Sequence, residues 1–415
     1  MIQRAGSANL SLHGGQVPAW LSARMAALGR VIAEAIVHHY GRDELLSRLS
    51  NPFWFQSFGS VMGMDWHSSG ITTSVLAALK RGLRPVQNEL GIYICGGKGA
   101  HSRRTPTELL VMGDCTGIDA APLIQASRLV AKIDSAVVQD GYDLYLHGFV
   151  ASKDGKWCVI QQGMNVLRRE ARRYHWKSEN LTSFFDSPHS AVEGRNIGPI
   201  VNLADTQAAA SRSAALTLVE RGPDRTIDVL RQLSGCANQT LDLFSESSTE
   251  RVNPSLHTHL KLPSHHDVKA ADIDLKRLHQ TLHAASERGP QDFAQLLLTP
   301  GVGARTVTAL AFVAEVVHGA PYRFSDPARF SLAHGGKDGH PFPVPLKVYD
   351  ETIRVLKFAI DHANLGRSEK LSAIKRLDER ARIIDSIVGG PSVEEIVATE
   401  RQNSTTYGGR TIQLP

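Results

Sequence analysis

The sequence predicts an α+β N-terminal domain with a central β-hairpin, followed by a mainly α-helical C-terminal domain that contains a helix-hairpin-helix. β-Branched and aromatic residues flank an Asp154-Gly155 turn, which is typical of a β-hairpin. Helical apolar spacing precedes that region, and it resumes near residue 265 around a Pro-Gly-Val-Gly turn. The 415 residues, 42% of them hydrophobic and 21% charged, suffice for two or three domains and exclude a disordered chain.

Charge and cysteine usage narrow the class of protein. Lys and Arg number 46 against 41 Asp and Glu, and the net charge of +5 permits a polyanionic partner. The four cysteines form no Cys-x-x-Cys pair, which argues against a zinc ribbon, an iron-sulfur cluster or a disulfide framework. Because neither a long apolar run nor a secretory signal occurs, we expect a cytoplasmic protein without a membrane partner.

The N-terminal elements follow from apolar spacing. Leu21, Met25, Leu28, Ile32 and Ile36 recur at intervals of three or four, which predicts a packing helix that ends at Gly41. The same reasoning predicts the elements that follow: a helix over 42–49, a core aromatic cluster over 53–58, a helix over 72–83, a buried strand over 91–95, hairpin strands over 142–150 and 157–162, and helices over 208–219 and 224–233.

The C-terminal part is predicted to be helical. Residues 235–263 are polar and predict a linker, after which helices are expected over 271–287, 291–298, 305–317 and 369–388. The predicted organisation is a mixed α/β catalytic domain over 1–203, a helical connector and polar linker over 204–264, a helix-hairpin-helix DNA-binding domain over 265–366, and a helix with a polar tail over 367–415.

The most specific motif is the segment 293–317, which resembles the helix-hairpin-helix that binds DNA backbones. Gly301 and Gly303 would let backbone amides approach a phosphate, at the positive end of the next helix. Arg305 and Thr306 stand where a phosphate contact is needed. The alternative is a plain helical hairpin whose glycines only permit the turn. A glycine-rich segment downstream carries Lys337, which we include among the DNA-binding candidates.

Candidate catalytic residues lie in the N-terminal half. Asp65 and His67 share one loop and suit a Mg or Mn site that activates a water, although a helix-capping role explains the neighbouring hydroxyls. Asp140 and Gln161 belong to the predicted hairpin, which brings distant residues to one face. The predicted metal ligands are Asp65, His67 and Asp140. On a flat strand Asp143, Tyr145 and His147 would share a face.

Two basic segments border this region. The glycine-rich loop at 96–99 carries the candidate catalytic Lys98 and precedes Arg103 and Arg104, which makes it a flexible anion-binding loop. The second segment, residues 165–177, includes Arg172, Arg173 and the candidate catalytic His175. A solvated charged helix is the plain interpretation of the second segment, and contact with phosphates and unstacked bases is the functional one.

Several longer strings together resemble domain-of-unknown-function family 763 of bacteria and archaea, over about residues 14–366. The strings are Asp65-Trp66-His67-Ser68-Ser69-Gly70, Gly96-Gly97-Lys98-Gly99, Gln139-Asp140-Gly141, Gln161-Gln162-Gly163-Met164-Asn165, Arg173-Tyr174-His175-Trp176 and His334-Gly335-Gly336-Lys337-Asp338-Gly339-His340-Pro341. The resemblance implies a helix-hairpin-helix protein and carries over no chemistry for the N-terminal domain.

The leading hypothesis is a DNA-binding nuclease that depends on Mg or Mn and acts in DNA repair or processing. Lys98 or an arginine near Arg173 would stabilise charge on the phosphate. The first alternative is a helix-hairpin-helix DNA glycosylase in which Asp326 stabilises an oxocarbenium-like state. The second is a DNA-binding protein without catalysis.

Overall fold

The computed structural model describes residues 10–11, 17, 19–64, 69–236, 275–328, 346–361 and 373. The strands in these ranges are β1 (Leu10–Ser11), β2 (Ile92–Lys98), β3 (Val138–Gln139), β4 (Asp143–Ser152), β5 (Trp157–Asn165), β6 (Glu170–Lys177), β7 (Ala191–Glu193), β8 (Pro199–Asn202) and β9 (Arg323–Ser325). Six of them form an antiparallel central sheet in the order β1-β6-β5-β4-β2, with β7 also paired to β6. The remaining three form a small sheet in the order β3-β8-β9.

Helices cover both faces of the central sheet. They are α1 (Ala19–Tyr40), α2 (Arg42–Ser50), α3 (Pro52–Val61), α4 (Gly70–Leu83), α5 (Gln87–Leu90), α6 (Thr105–Thr116), α7 (Ala121–Lys132), α8 (Ala209–Glu220), α9 (Pro223–Cys236), α10 (Leu275–Arg288), α11 (Phe293–Leu298), α12 (Ala304–His318) and α13 (Leu346–Asp361). The predicted α+β class is therefore confirmed as a mixed fold of helices and antiparallel strands.

The two faces of the sheet bury different helices because strand side chains alternate. Ile94 and Val150 pack on a cluster with α1 to α4 and α13, and we call this side the first face. Phe149 and Trp176 pack on a cluster with α6 to α12, and we call this side the second face. The long runs of buried residues in β4 and β5 follow from this double coverage, since both faces exclude water.

The C-terminal helices complete the core of the central sheet. Leu297 of α11 and Val307 of α12 belong to the same hydrophobic cluster as Tyr93 and Val159 of the sheet. In addition, β9 pairs with β8, so the chain after α12 returns to the N-terminal part. Among the described residues, segment 275–328 therefore shares one core with the sheet, and the division at residue 265 stays a prediction.

Most predicted elements lie where the periodicity puts them, including the hairpin of β4 and β5 and the helices α1, α2, α4, α8 to α10 and α12, while the predicted aromatic cluster over 53–58 forms the helix α3. Helices α6 and α7 were not predicted, although each has a proline in its first turn. The predicted helix over 369–388 lies outside the described residues, apart from Ala373.

Three local expectations are wrong. Tyr145 is an extra residue at a β-bulge, so it packs on the first face while His147 lies on the second. The predicted loop at 96–99 continues β2 as far as Lys98, because Gly96 adopts φ +85° against the His147 carbonyl. The basic segment forms the buried strand β6 rather than a solvated helix.

No helix within the described ranges is both long and apolar enough to cross a bilayer.

Candidate functional site

The turn between α11 and α12, residues 299–303, is here called the glycine turn. Asp292 opens α11 as its N-cap and accepts a hydrogen bond from the Gln295 amide at 2.7 Å. Within the turn, the Val302 amide donates to the Thr299 carbonyl at 3.2 Å, and the Val302 side chain is buried. Gly301 holds φ +88°, a conformation that favours glycine.

The N-terminus of α12 opens directly from this turn. Its N-cap is Gly303, which has no side chain with which to cap the helix. The first amide that bonds back to the cap is that of Val307, to the Gly303 carbonyl at 3.0 Å. The amides of residues 304–306 come before Val307 and therefore have no carbonyl acceptor inside the helix. Such free amides, together with the helix dipole, favour the binding of an anion.

A pocket of about 240 Å³ lies at this helix terminus. It is lined by Arg277, Leu278, Thr281, Gly301, Gly303, Ala304, Arg305 and Thr306. No carboxylate is among these lining residues, and Arg305 is exposed to solvent. Thr306 is only 6% exposed, so its side chain is largely buried. The pocket therefore combines backbone donors with two guanidinium groups.

The two glycines of the turn differ in what a side chain would meet. A Cβ on Gly301 would lie 3.2 Å from the Thr281 hydroxyl oxygen, and the positive φ would strain it as well. A Cβ on Gly303 would meet no atom within 4 Å, and its φ of −147° suits any residue. Gly303 thus leaves open space in front of the amides without being required by the fold.

Two side chains of the N-terminal part hold the glycine turn in place. Lys132 Nζ donates to the Val302 carbonyl. Gln139 Nε2 donates to the Ala304 carbonyl at 3.1 Å, while its Oε1 accepts from the Thr308 hydroxyl at 2.7 Å. Burial lowers the pKa of Lys132. Sequence reasoning missed both residues, because their partners lie more than 160 residues away.

Asp140, a predicted metal ligand, lies in a buried ion-pair network. Arg172 Nη1 is 2.8 Å from its carboxylate, and the Tyr174 hydroxyl donates to the same oxygen at 2.6 Å. Arg172 also donates twice to the Asp326 carboxylate, at 2.9 and 2.8 Å. All three charged side chains are at most 1% exposed. These contacts do not fit a Mg or Mn site at Asp140, because a guanidinium and a phenol occupy the positions of a cation.

The charges of this network are strongly coupled. Burial lowers the pKa of Arg172, but the carboxylates of Asp140 and Asp326 raise it, and the net pKa lies well above the usual range. Burial raises the pKa of Asp140, and Arg172 opposes that rise. Asp326 also accepts from the Ile197 and Ala328 amides, so its carboxylate is saturated with donors. The geometry therefore gives Asp326 a structural role and disfavours its role in a glycosylase.

Gln161, a predicted catalytic residue, belongs to a second buried network on the second face. Its Oε1 lies 2.7 Å from His147 Nδ1, and its Nε2 donates to Asp134. Asp134 also accepts from the Trp176 indole at 2.9 Å and lies 2.6 Å from His189. Burial lowers the pKa of His147. The imidazole of His147 is hydrogen-bonded through Nδ1 to the Gln161 amide oxygen and through Nε2 to the Ser127 hydroxyl, so it stabilises the core here.

Arg173 lies on the first face and is fully buried. Its guanidinium is 3.0 Å from Glu193 and donates to the Thr72 hydroxyl at 2.9 Å and to Gln56 at 2.7 Å. Its ring neighbour is Phe55, whose centroid lies 4.9 Å away. Neither Arg173 nor Arg172 reaches the surface, so the predicted contact of both with DNA is corrected to a structural role.

His175 lies beside this network on the first face. Its Nδ1 is 3.2 Å from the Leu49 carbonyl, while its Nε2 is a buried atom with no hydrogen-bond partner among the described residues. Burial lowers the pKa of His175 well below its usual range, and Arg173 lowers it further. Gln162 Oε1 is a second buried atom without a partner there, and its Nε2 donates to the Ser69 carbonyl at 3.1 Å.

The predicted catalytic residues do not converge on one site. Asp140 and Gln161 lie on the second face of the sheet, His175 lies on the first, and Lys98 is exposed at the end of β2. Asp65, His67 and Lys337 lie outside the described residues. Within the described ranges, no group of three or more His, Cys, Asp or Glu side chains could hold a metal ion.

Exposed basic side chains lie at one end of the sheet. Lys98 stands 5.8 Å from the Tyr145 ring centroid, and it pairs with Leu146 near the start of β4. A 3-10 helix, Gly99–Arg104, follows it and presents Arg103 and Arg104 to solvent. This placement is compatible with the predicted DNA contact of both arginines.

The family comparison agrees with the resemblance of the strings above. No curated protein and no solved structure matches the chain. The model of DUF763, described as a protein of unknown function, matches residues 6–344, which is 339 of the 415 residues. The chain therefore belongs to the DUF763 family.

Proposed function

We propose that the protein binds DNA through its phosphate backbone at the glycine turn and the N-terminus of α12. The observation that carries the proposal is the pocket at the N-terminus of α12, where backbone amides of the first turn and the exposed Arg305 lie together. A phosphate diester supplies the anion that such a terminus favours. Backbone recognition of this kind is independent of base sequence, so affinity is expected to depend strongly on salt.

The anchoring contacts support the proposal. A phosphate contact requires donors with fixed positions, since ordering them on binding would reduce affinity. Lys132 and Gln139 bond the carbonyls of Val302 and Ala304, so the turn and the helix start are held from the sheet side. The amides of residues 304–306 at the start of α12 have no acceptor inside the helix, so they can donate to a ligand.

Salt-dependent binding of fluorescein-labelled duplex DNA, followed by anisotropy in EDTA, tests this proposal. Arg305→Ala should weaken binding to unrelated sequences about equally and reduce the slope of log affinity against log salt by about 1. Arg84→Ala is the matched control, because Arg84 is exposed after the far end of α4 and loses the same charge. Equal effects of the two variants on DNA affinity would exclude the glycine turn from DNA binding.

Metal-dependent cleavage stays a separate prediction. The nuclease hypothesis depends on Asp65 and His67, and Asp140 is committed to Arg172. Adding Mg or Mn to the same labelled duplex, with single-stranded and hairpin DNA in parallel, distinguishes the remaining alternatives. Cleavage that EDTA abolishes supports a nuclease, abasic sites formed in EDTA support a glycosylase, and binding without reaction supports a non-catalytic protein.

A further inference from the structure

The turn between β5 and β6, residues 166–169, presents two apolar side chains to solvent. Val166 is 70% exposed and Leu167 is 88% exposed, and no other large hydrophobic side chain of the described ranges is as exposed as either. Burying such a side chain is favourable because it removes apolar area from water. Two adjacent side chains of this kind at the tip of a hairpin therefore indicate a binding surface.

This β5–β6 turn is held in a fixed shape. Asn165 accepts from the Arg168 amide at 2.9 Å and donates to the Gly141 carbonyl at 2.9 Å. The Arg169 amide donates to the Val166 carbonyl at 3.3 Å. The apolar tip is thus ordered before any partner arrives, which lowers the entropic cost of binding.

The charge beside the tip is positive. Arg168 and Arg169 follow the two apolar residues directly. The next residue, Glu170, is buried and accepts from the Tyr142 hydroxyl at 2.9 Å, so its carboxylate does not face the solvent around the tip. Asp143 is an exposed acidic residue near the tip, because it pairs with Met164 near the end of β5. Apolar side chains next to guanidinium groups match a base step flanked by phosphates.

The tip and the glycine turn lie at the same end of the sheet. Gln139 bonds the Ala304 carbonyl at the start of α12, and Gly141, two residues later, bonds the Asn165 side chain at the tip. Two side-chain hydrogen bonds and a short piece of backbone therefore join the two features.

We infer that Val166 and Leu167 enter a step between stacked base pairs of the bound duplex. This inference rests on the proposed DNA binding and names the kind of DNA preferred. Separating stacked bases costs free energy, and it costs less where pairing is already weakened. The protein therefore prefers duplexes with a mismatch or another locally unstacked position.

The test uses the full chain and two duplexes that contain 2-aminopurine, one fully paired and one with an adjacent mismatch. Wild-type protein should increase the 2-aminopurine fluorescence and bind the mismatched duplex about tenfold more tightly, equivalent to about 1.4 kcal/mol. The double variant Val166→Ser/Leu167→Ser should lose the fluorescence increase and the preference. Leu110→Ser/Val111→Ser removes exposed apolar area on α6 and is the matched control.

Each outcome decides one of the two proposals. Wild-type protein that binds both duplexes equally, without a fluorescence change, overturns the insertion and leaves the DNA binding intact. Loss of the signal in the α6 control as well would also overturn it, because the effect would then be unspecific. Wild-type protein that binds neither duplex overturns the DNA binding, and the insertion with it.

Discussion

The guanidinium of Arg172 forms a two-pronged ion pair with the carboxylate of Asp326, at 2.9 and 2.8 Å, across 154 residues of sequence. Both side chains are fully buried. The pair joins β6 of the central sheet to the segment that follows β9.

We expect Asp326→Asn to destabilise the protein by about 3 to 5 kcal/mol, because removing one partner leaves a buried guanidinium undercompensated. Urea unfolding measures the loss. Arg231→Met is the control, since the Arg231–Asp228 pair is exposed, and its loss should change stability by less than about 1 kcal/mol. Equal stabilities of wild type and Asp326→Asn would contradict the structural role.

The glycine turn predicts a separation of binding from stability. Gly303→Val should weaken DNA binding at unchanged thermal stability, because its side chain has open space in the protein and obstructs only the approach of a phosphate. Gly301→Val should lower both, because its φ of +88° strains a β-branched residue by about 1 to 3 kcal/mol.

The control for backbone strain is Gly155→Val, at the opposite end of the sheet in the β4–β5 turn. Gly155 has φ +79° and open space around its Cβ position. The Gly155→Val variant should have a lower thermal stability than wild type and an unchanged DNA affinity. Unchanged affinity in both variants of the glycine turn would exclude that turn from DNA binding.

Acid should destabilise the fold through His175. Its pKa is lowered by burial, so the folded state stays neutral while the unfolded state takes up a proton below about pH 6.5. This contribution to stability is complete above pH 6.5 and falls with pH by up to about 1.4 kcal/mol per unit.

The measurement is the free energy of unfolding between pH 7.5 and 5.5. His175→Gln should show a shallower loss towards acid than wild type. His101→Gln should keep the wild-type slope, because His101 is exposed. A His175→Gln slope equal to that of wild type would show that this imidazole takes no part.

Asp65→Asn and Asp140→Asn should behave differently. If the protein is a metal-dependent nuclease, Asp65→Asn abolishes cleavage and keeps DNA binding, because an amide loses the charge that holds a hard cation. Asp140→Asn should instead lower the unfolding temperature, because it weakens the contact with Arg172 and Tyr174. Cleavage assays beside thermal unfolding test both, and a fully stable Asp140→Asn protein without cleavage would restore Asp140 as a site residue.

Local patterns predicted the local structure well. Apolar spacing predicted α1 and α12, and the Asp154-Gly155 turn predicted the β4–β5 hairpin, because each signal lies within one element. The same patterns failed at β6. Its arginines look solvated in sequence, yet their partners Glu193 and Asp326 come from distant segments.

The candidate site was predictable in part for the same reason. The glycine turn is contiguous, so its residues could be identified together. Lys132 and Gln139 reach it through tertiary contacts that no spacing encodes. The predicted catalytic residues do not converge because Gln161 and His175 lie on adjacent strands but point to opposite faces of the sheet. The face to which each side chain points depends on the strand register, which the sequence does not reveal.

The long separation between Arg172 and Asp326 has a consequence for biosynthesis. A ribosome adds about 5 to 20 residues per second, so the 154 additions that lead from Arg172 to Asp326 take about 8 to 30 s. During that time Arg172 of β6 lacks the Asp326 carboxylate and has only that of Asp140, and the second face of the sheet lacks α10 to α12. The nascent chain therefore exposes apolar surface for many seconds, and its yield in the cell should depend on chaperones that bind the emerging N-terminal portion.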